Sequence, residues 1–277
     1  MKRKIVADSS ADLLELPGVD FVSVPLTINA GSNSWVDDAD LDADAMMDTI
    51  VAWHGRSTSA CPSPEDWIAA FGDADEVFCI PISSGMSGSY NSACVGAKEY
   101  MERHPGRRVH VTDTLLASAP MALLCERLAE LFHEGLDFDA IVEKIEEIRS
   151  RTKLLFCLQS VHTLANNGRM PQAVAAIIGL LNIRMVAIAN AEGKGEMVDK
   201  ARGDRKVLPA LIDRLKKMSF DGGKIIIHHC RNLALATELG ELIRGTWPAA
   251  EVEIAPTRGL CSFYAELGGM LIGFESA

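Results

Sequence analysis

Residues 76–93 read Glu76-Val77-Phe78-Cys79-Ile80-Pro81-Ile82-Ser83-Ser84-Gly85-Met86-Ser87-Gly88-Ser89-Tyr90-Asn91-Ser92-Ala93. A short apolar run ends at a proline, gives way to serines and glycines, and then passes into a helical pattern over 91–103. That is a strand, a loop and the start of a helix, the repeating step of an α/β sheet. Unpaired N–H groups at such a helix start carry partial positive charge, and the glycines allow an anion close approach. The loop can therefore cradle a carboxylate. Its spacing is neither the phosphate-loop G-x-x-x-x-G-K-[ST], for want of a lysine, nor the hydrolase G-x-S-x-G.

The same step recurs on either side. Lys4–Ala7, Phe21–Leu26 and Arg108–Thr112 are short β-rich runs with small or polar residues after them. Between the strands, the residue pattern predicts helices over Pro64–Phe71, Asn91–Arg103, Ser118–Gly135 and Phe138–Arg149. The expected first lobe is a mostly parallel sheet with helices on both faces. Ligands of such sheets collect beyond the carboxyl ends of the strands, so Asp8-Ser9-Ser10, Ile82-Ser83-Ser84-Gly85 and Asp113-Thr114 should converge on one edge.

Past Ser150 the texture changes. Leu154–Leu158, Arg184–Ala189, Lys224–His228, Ala250–Ile254 and Met270–Phe274 predict strands, Gly193-Lys194-Gly195 a hairpin, and Pro171–Leu181, Arg205–Lys217 and Leu233–Arg244 helices. The expectation is an α/β fold in two lobes, residues 1–155 and 156–277. The second is a smaller α/β sandwich, with a ligand between the two.

Composition narrows the function. Acidic residues outnumber basic ones 38 to 27, for a net charge of −11, which argues against a nucleic-acid partner. An anionic ligand would have to meet a local positive site. The chain is 48% hydrophobic but 6% aromatic, with mean hydropathy +0.11, which suits an aliphatic core or an aliphatic ligand tunnel. No apolar run approaches the roughly 18 residues of a membrane span, so a cytoplasmic protein with at most transient membrane contact is expected. Seven cysteines without C-x-x-C spacing indicate neither disulfides nor a metal site, and no cofactor is called for.

Three more segments bear on a site. In Thr58-Ser59-Ala60-Cys61-Pro62-Ser63-Pro64-Glu65-Asp66, Ser63 caps a helix and Pro64 takes its first position, leaving Thr58 and Ser59 in a turn that can face a ligand. Asn167-Gly168-Arg169 precedes Pro171, so a helix stops at a left-handed Asn or Gly and projects an arginine whose planar fork suits carboxylate or phosphate. Arg202, at the end of a hairpin strand, is a second candidate cation. His228-His229-Cys230 is a weak metal pattern, since neighbouring strand residues point to opposite faces.

Taken in order, Asp8-Ser9-Ser10-Ala11-Asp12-Leu13, Val24-Pro25-Leu26, the Thr58–Pro64 turn, Ser83-Ser84-Gly85-Met86-Ser87-Gly88-Ser89-Tyr90, Asp113-Thr114, Leu164–Arg169, Ala201-Arg202-Gly203 and Gly268-Gly269 resemble the DegV family. These are fatty-acid-binding proteins acting as the exchangeable B subunit of bacterial fatty acid kinase. The resemblance implies a non-catalytic, bacterial-type carrier of a long-chain fatty acid serving phospholipid synthesis. The acyl chain would be buried and the carboxyl group held near Thr58 or Ser59, Ser83, Ser84, Ser87 and Gly88. It further implies a kinase subunit that performs the phosphoryl chemistry, acyltransferases that use the acyl-phosphate, and phosphate or partner contacts at Arg169 and Arg202. Two departures stand out: Asn167 where the family commonly has glycine, and Arg258-Gly259-Leu260-Cys261-Ser262-Phe263-Tyr264-Ala265 where it often has His-Thr-Gly-Pro-Gly. Ser262 then becomes the candidate head-group hydroxyl of the tail. The alternatives from the residues are a serine-dependent hydrolase or transferase, with Ser84 or Ser87 and a histidine such as His229, and a lipid-responsive regulatory module.

Overall fold

A computed structural model describes residues 1–178 and 183–277. The first lobe opens with β1 (Arg3–Asp8), β2 (Phe21–Val24), β3 (Thr27–Ala30), β4 (Asn33–Val36), α1 (Ala43–Ala52), β5 (Ser57–Ala60) and α2 (Pro64–Phe71). It continues with β6 (Glu76–Ile80), α3 (Ser89–Arg103), β7 (Arg108–Val111), α4 (Ala119–His133) and α5 (Phe138–Arg151). The predicted strands pair as one parallel sheet in the order β2-β1-β6-β7. Packed on its outer side are Trp67 and Phe71 of α2 and Ala93, Ala97 and Tyr100 of α3.

A small antiparallel sheet, β4-β3-β5, had no counterpart among the predicted elements, and neither did α1. The strand β5, Ser57-Thr58-Ser59-Ala60, carries no large apolar side chain and so lacks the alternation by which a strand is read. Thr58 and Ser59 accordingly lie on a strand, not in a turn. The expected cap at Ser63 is present as a full capping box with Asp66, Pro64 following it.

The second lobe comprises β8 (Thr152–Leu158), α6 (His162–Asn166), α7 (Gln172–Ile178), β9 (Ile183–Ala189), β10 (Gly195–Arg202), α8 (Asp204–Lys217) and β11 (Lys224–His229). After these come α9 (Leu233–Thr246), β12 (Glu251–Pro256), α10 (Gly259–Ala265) and β13 (Met270–Glu275). The sheet runs β10-β9-β8-β13-β11-β12, with β11 and β12 parallel and the other neighbours antiparallel. It is a mixed sheet covered on one face by α8 and α9. The part of the predicted Pro171–Leu181 helix beyond Ile178 falls outside the described residues. A lobe boundary at 155/156 would divide β8, whose residues all belong to the second sheet.

The helix α4 sits between the two large sheets, touching β1 and β6 on one side and β8, β11 and β13 on the other. Ala119, Leu123, Leu124, Cys125, Leu128 and Leu131 are all buried, because a helix wedged between sheets has no solvent face over most of its length. Gly273 of β13 permits this approach: a Cβ there would lie 2.2 Å from the Pro120 nitrogen at the start of α4. Among the described residues no helix is long and apolar enough to cross a membrane. Gly273→Ala should force α4 off the second sheet and lower unfolding free energy by roughly 1–3 kcal/mol, read as a lower urea midpoint at unchanged slope. An unshifted midpoint would contradict the wedge.

Candidate functional site

The carboxyl ends of β1, β6 and β7 converge as their residues suggest. The Asp8 carboxylate is fully buried and accepts from the Ile82 N–H at 2.9 Å, from the Ser10 N–H at 3.2 Å and from the hydroxyls of Ser10 and Ser89. Loss of solvation pushes its pKa up, against the pull of those donors. Ser84 donates its hydroxyl and backbone N–H to Asp113. Between these ties runs the serine loop into α3.

The loop is gripped from the second lobe as well. Ser83 Oγ donates to the Gly193 carbonyl at 2.7 Å and accepts from the Gly85 N–H at 3.1 Å. A Cβ on Gly85 would lie 2.2 Å from the Glu192 carbonyl oxygen, so only glycine admits the β9–β10 turn at this spot. That turn, where a hairpin was expected, is closed by Asn190 Oδ1 accepting the N–H groups of Glu192 and Lys194, both at 3.0 Å.

Beneath the loop, between the lobes, lies a cavity. Its inner wall is apolar: Leu26, Ile82, Ala117, Phe156, Leu158 and Leu271. Polar groups gather at the half-buried rim, where Ser59, Ser87, Arg169 and Tyr264 meet. A smaller apolar recess continues past Phe156 and Arg169 to Met170, Met185 and Gly195.

The candidate residues separate accordingly. Ser59, Ser87 and Arg169 line the cavity, while Thr58, Ser83, Ser84, Gly88, Ser262 and Arg202 do not. Strand alternation resolves Thr58 against Ser59: consecutive residues of β5 point to opposite faces, and Ser59 faces inward. The hydroxyls of Ser83 and Ser84 are spent on Gly193 and Asp113. Gly88 sits where a Cβ would meet Cys61 Sγ at 3.3 Å. Ser262 Oγ turns away to Thr257, 2.7 Å from its Oγ1. Arg202 is exposed at the end of β10.

Arg169 projects from the turn after α6, where Gly168 takes the left-handed conformation at φ 74°. Its Nε donates to the Met86 carbonyl at 3.0 Å and its Nη1 to the Asn167 carbonyl at 2.6 Å, and the guanidinium lies over the Tyr264 ring, 5.8 Å from its centroid. Nη2 has no hydrogen-bond partner among the described residues.

The residue missing from the sequence-derived candidates is Tyr264, whose hydroxyl lies 2.8 Å from Ser59 Oγ. It stands on α10, the helix that occupies the departing tail segment. The start of α10 is held by two buried carboxylates. Asp37 accepts from the Gly259 and Leu260 N–H groups, both at 2.9 Å, and Asp12 accepts from the Arg258 N–H at 2.7 Å. Only the arrival of an aspartate from a distant loop reveals this helix as fixed, and no local pattern signals it.

No histidine hydrogen-bonds Ser84 or Ser87 among the described residues. His228 Nδ1 instead lies 3.0 Å from Ser118 Oγ and 3.1 Å from Asp12, and His229 Nδ1 accepts the Asn232 N–H at 3.3 Å. A serine nucleophile on this loop therefore lacks the adjacent histidine base that the hydrolase alternative required.

Two α/β lobes close on an apolar cavity with a small polar rim, the form of a site for a largely apolar small molecule. The chain belongs to the DegV family, whose model matches residues 2–276 under the description of an uncharacterised protein family. A DegV domain-containing protein of Streptococcus pneumoniae is 45% identical over 279 residues, covering 99% of each chain. Among solved structures, the Streptococcus pneumoniae fatty acid kinase B3 protein, loaded with linoleic acid, superposes with TM-score 0.98 at 44% identity over 100% of both chains. A DegV family protein from Eubacterium eligens, loaded with heptadecanoic acid, gives TM-score 0.97 at 38% identity, covering 99% of this chain and 100% of the other.

Burial raises the Asp37 pKa from 3.8 to about 6, the backbone donors of α10 opposing the rise. Between those values the folded protein holds a proton that the unfolded chain has released. Stability therefore falls as pH rises through this window, by about 3 kcal/mol for a shift of this size. Relative to Asp37→Asn, wild type should lose stability between pH 4 and 7 in urea titrations. Parallel pH profiles would show that Asp37 titrates normally.

Proposed function

We propose that this protein binds a long-chain fatty acid in the interlobe cavity and presents its carboxyl group at the rim to a partner kinase, which forms the acyl-phosphate. The observation that carries the reading is the polarity of the cavity, aliphatic within and bearing two serines, a tyrosine and one arginine at its edge. Fatty acids in the two similar structures support it. Burial of each methylene contributes roughly 0.8 kcal/mol before ordering costs, so the chain supplies affinity and the rim fixes orientation.

In this reading the protein is a non-catalytic carrier that needs no cofactor. It contributes desolvation and placement, and the phosphoryl transfer is the kinase's. Ser59 and Ser87 hold the carboxyl group. Arg169, already braced by two carbonyls and an aromatic face, offers its remaining N–H edge to the phosphoryl group as it arrives. Arg202 lies outside the cavity and meets the kinase, and acyltransferases take the acyl-phosphate onward to phospholipid synthesis.

Native mass spectrometry of the purified protein should show bound long-chain acid or its uptake on addition, and an empty protein that takes up none would refute the reading. Ser87→Ala should weaken acid binding about tenfold, the worth of one hydrogen bond to a charged group. Arg169→Ala should keep uptake within about threefold while cutting acyl-phosphate formation with the kinase at least about tenfold. Loss of uptake as large as the loss of phosphorylation would assign Arg169 to the acid itself.

A further inference from the structure

The hydrogen bond between Ser59 and Tyr264 crosses the rim of the cavity from one lobe to the other. Ser59 comes from β5 of the first lobe, Tyr264 from the last turn of α10 in the second, and both face the cavity. Among the described residues each hydroxyl has only the other as a protein partner, at 2.8 Å. Two hydroxyls carry two donor protons, and their mutual bond uses one of them. A donor at the rim is left over.

The pair is also rigidly placed. Backbone ties from Asp37 and Asp12 fix the start of α10, the Phe263 ring packs edge-on against Tyr264 with centroids 4.8 Å apart, and the Arg169 guanidinium covers the ring. The hydroxyl is therefore oriented before any ligand arrives, and no side chain must be ordered on binding.

We propose that the Ser59–Tyr264 pair is the carboxyl-reading element of the site, with Tyr264 the residue that selects a free fatty acid over a neutral lipid of the same length. The inference rests on the cavity being a fatty acid site and names how that site discriminates. Parting the pair costs one hydrogen bond. A carboxylate has two anionic oxygens and accepts both protons in charge-assisted bonds, recovering more than was lost. An alcohol or ester oxygen offers only neutral bonds and recovers less.

Tyr264→Phe keeps the ring, its packing and the arginine above it while deleting the donor. Dissociation constants of one long-chain acid and of the alcohol of equal length, measured for wild type and variant at pH 7.5, provide the test. The expected result is acid binding weaker by about tenfold or more with alcohol binding changed by less than about twofold. Ser59→Ala, which removes the other half of the pair, should give the same acid-specific loss and serves if Tyr264→Phe lowers the folded fraction. Equal losses for both ligands would reduce Tyr264 to packing, and an unchanged acid affinity would remove it from the site; either overturns the inference while wild-type uptake leaves the functional reading standing. A wild-type protein that binds no acid overturns both.

Discussion

The Asp8 carboxylate, buried at the end of β1, is the interaction on which the rest of the site depends. A carboxylate withdrawn from water costs several kcal/mol unless its oxygens are filled. Here the donors that fill them come from Ser10 in the turn after β1, from Ile82 just past β6 and from Ser89 at the start of α3. The serine loop cannot leave without stranding that carboxylate. Asp12 and Asp37 impose the same condition on α10, through backbone N–H groups of Arg258, Gly259 and Leu260. Through Asp8 and Asp12 both polar walls of the cavity are referred to the end of β1, although they are more than 160 residues apart in the chain.

Much of this was legible in the residues. Short β-rich runs ending in hydroxyls marked the parallel sheet and its active edge, because apolar strands and amphipathic helices have different periods. Gly168 and Arg169 declared their turn, and Ser63-Pro64 its cap. The small sheet of β3, β4 and β5 was silent for the opposite reason: its strands are short and rich in polar or small side chains, and it earns its place by pairing and by supplying Ser59. Ser83 and Ser84 looked as available as Ser87, since a hydroxyl in a loop does not announce which partner will take it. The partners, Gly193 and Asp113, come from the other lobe and from the loop after β7. Tyr264 was hidden likewise, its role appearing only when β5 and α10 meet.

The cavity persists because the elements around it are held apart by other commitments. Small side chains, Ala117, Cys261 and Ala265, line positions where larger ones would fill the space. The helix α4 is braced between the sheets and cannot slide in to close the gap. Close packing elsewhere, including the glycine contacts at Gly85 and Gly273, keeps the lobes in a single relation. The empty volume is thus a consequence of rigid neighbours, not of a loose core.

The placement of β13 has a consequence for how the chain reaches this state. It lies between β8 and β11 in the middle of the second sheet, yet follows both of them and every other strand of that sheet in sequence. Until it inserts, β8 with β9 and β10 forms one ribbon and β11 with β12 another, each with an unpaired edge. The helix α10 is tethered to β13 by the short Glu266–Gly269 connection. During synthesis the first lobe can therefore assemble early, while the second sheet, and with it the wall that completes the cavity, closes in one late step around its last strand.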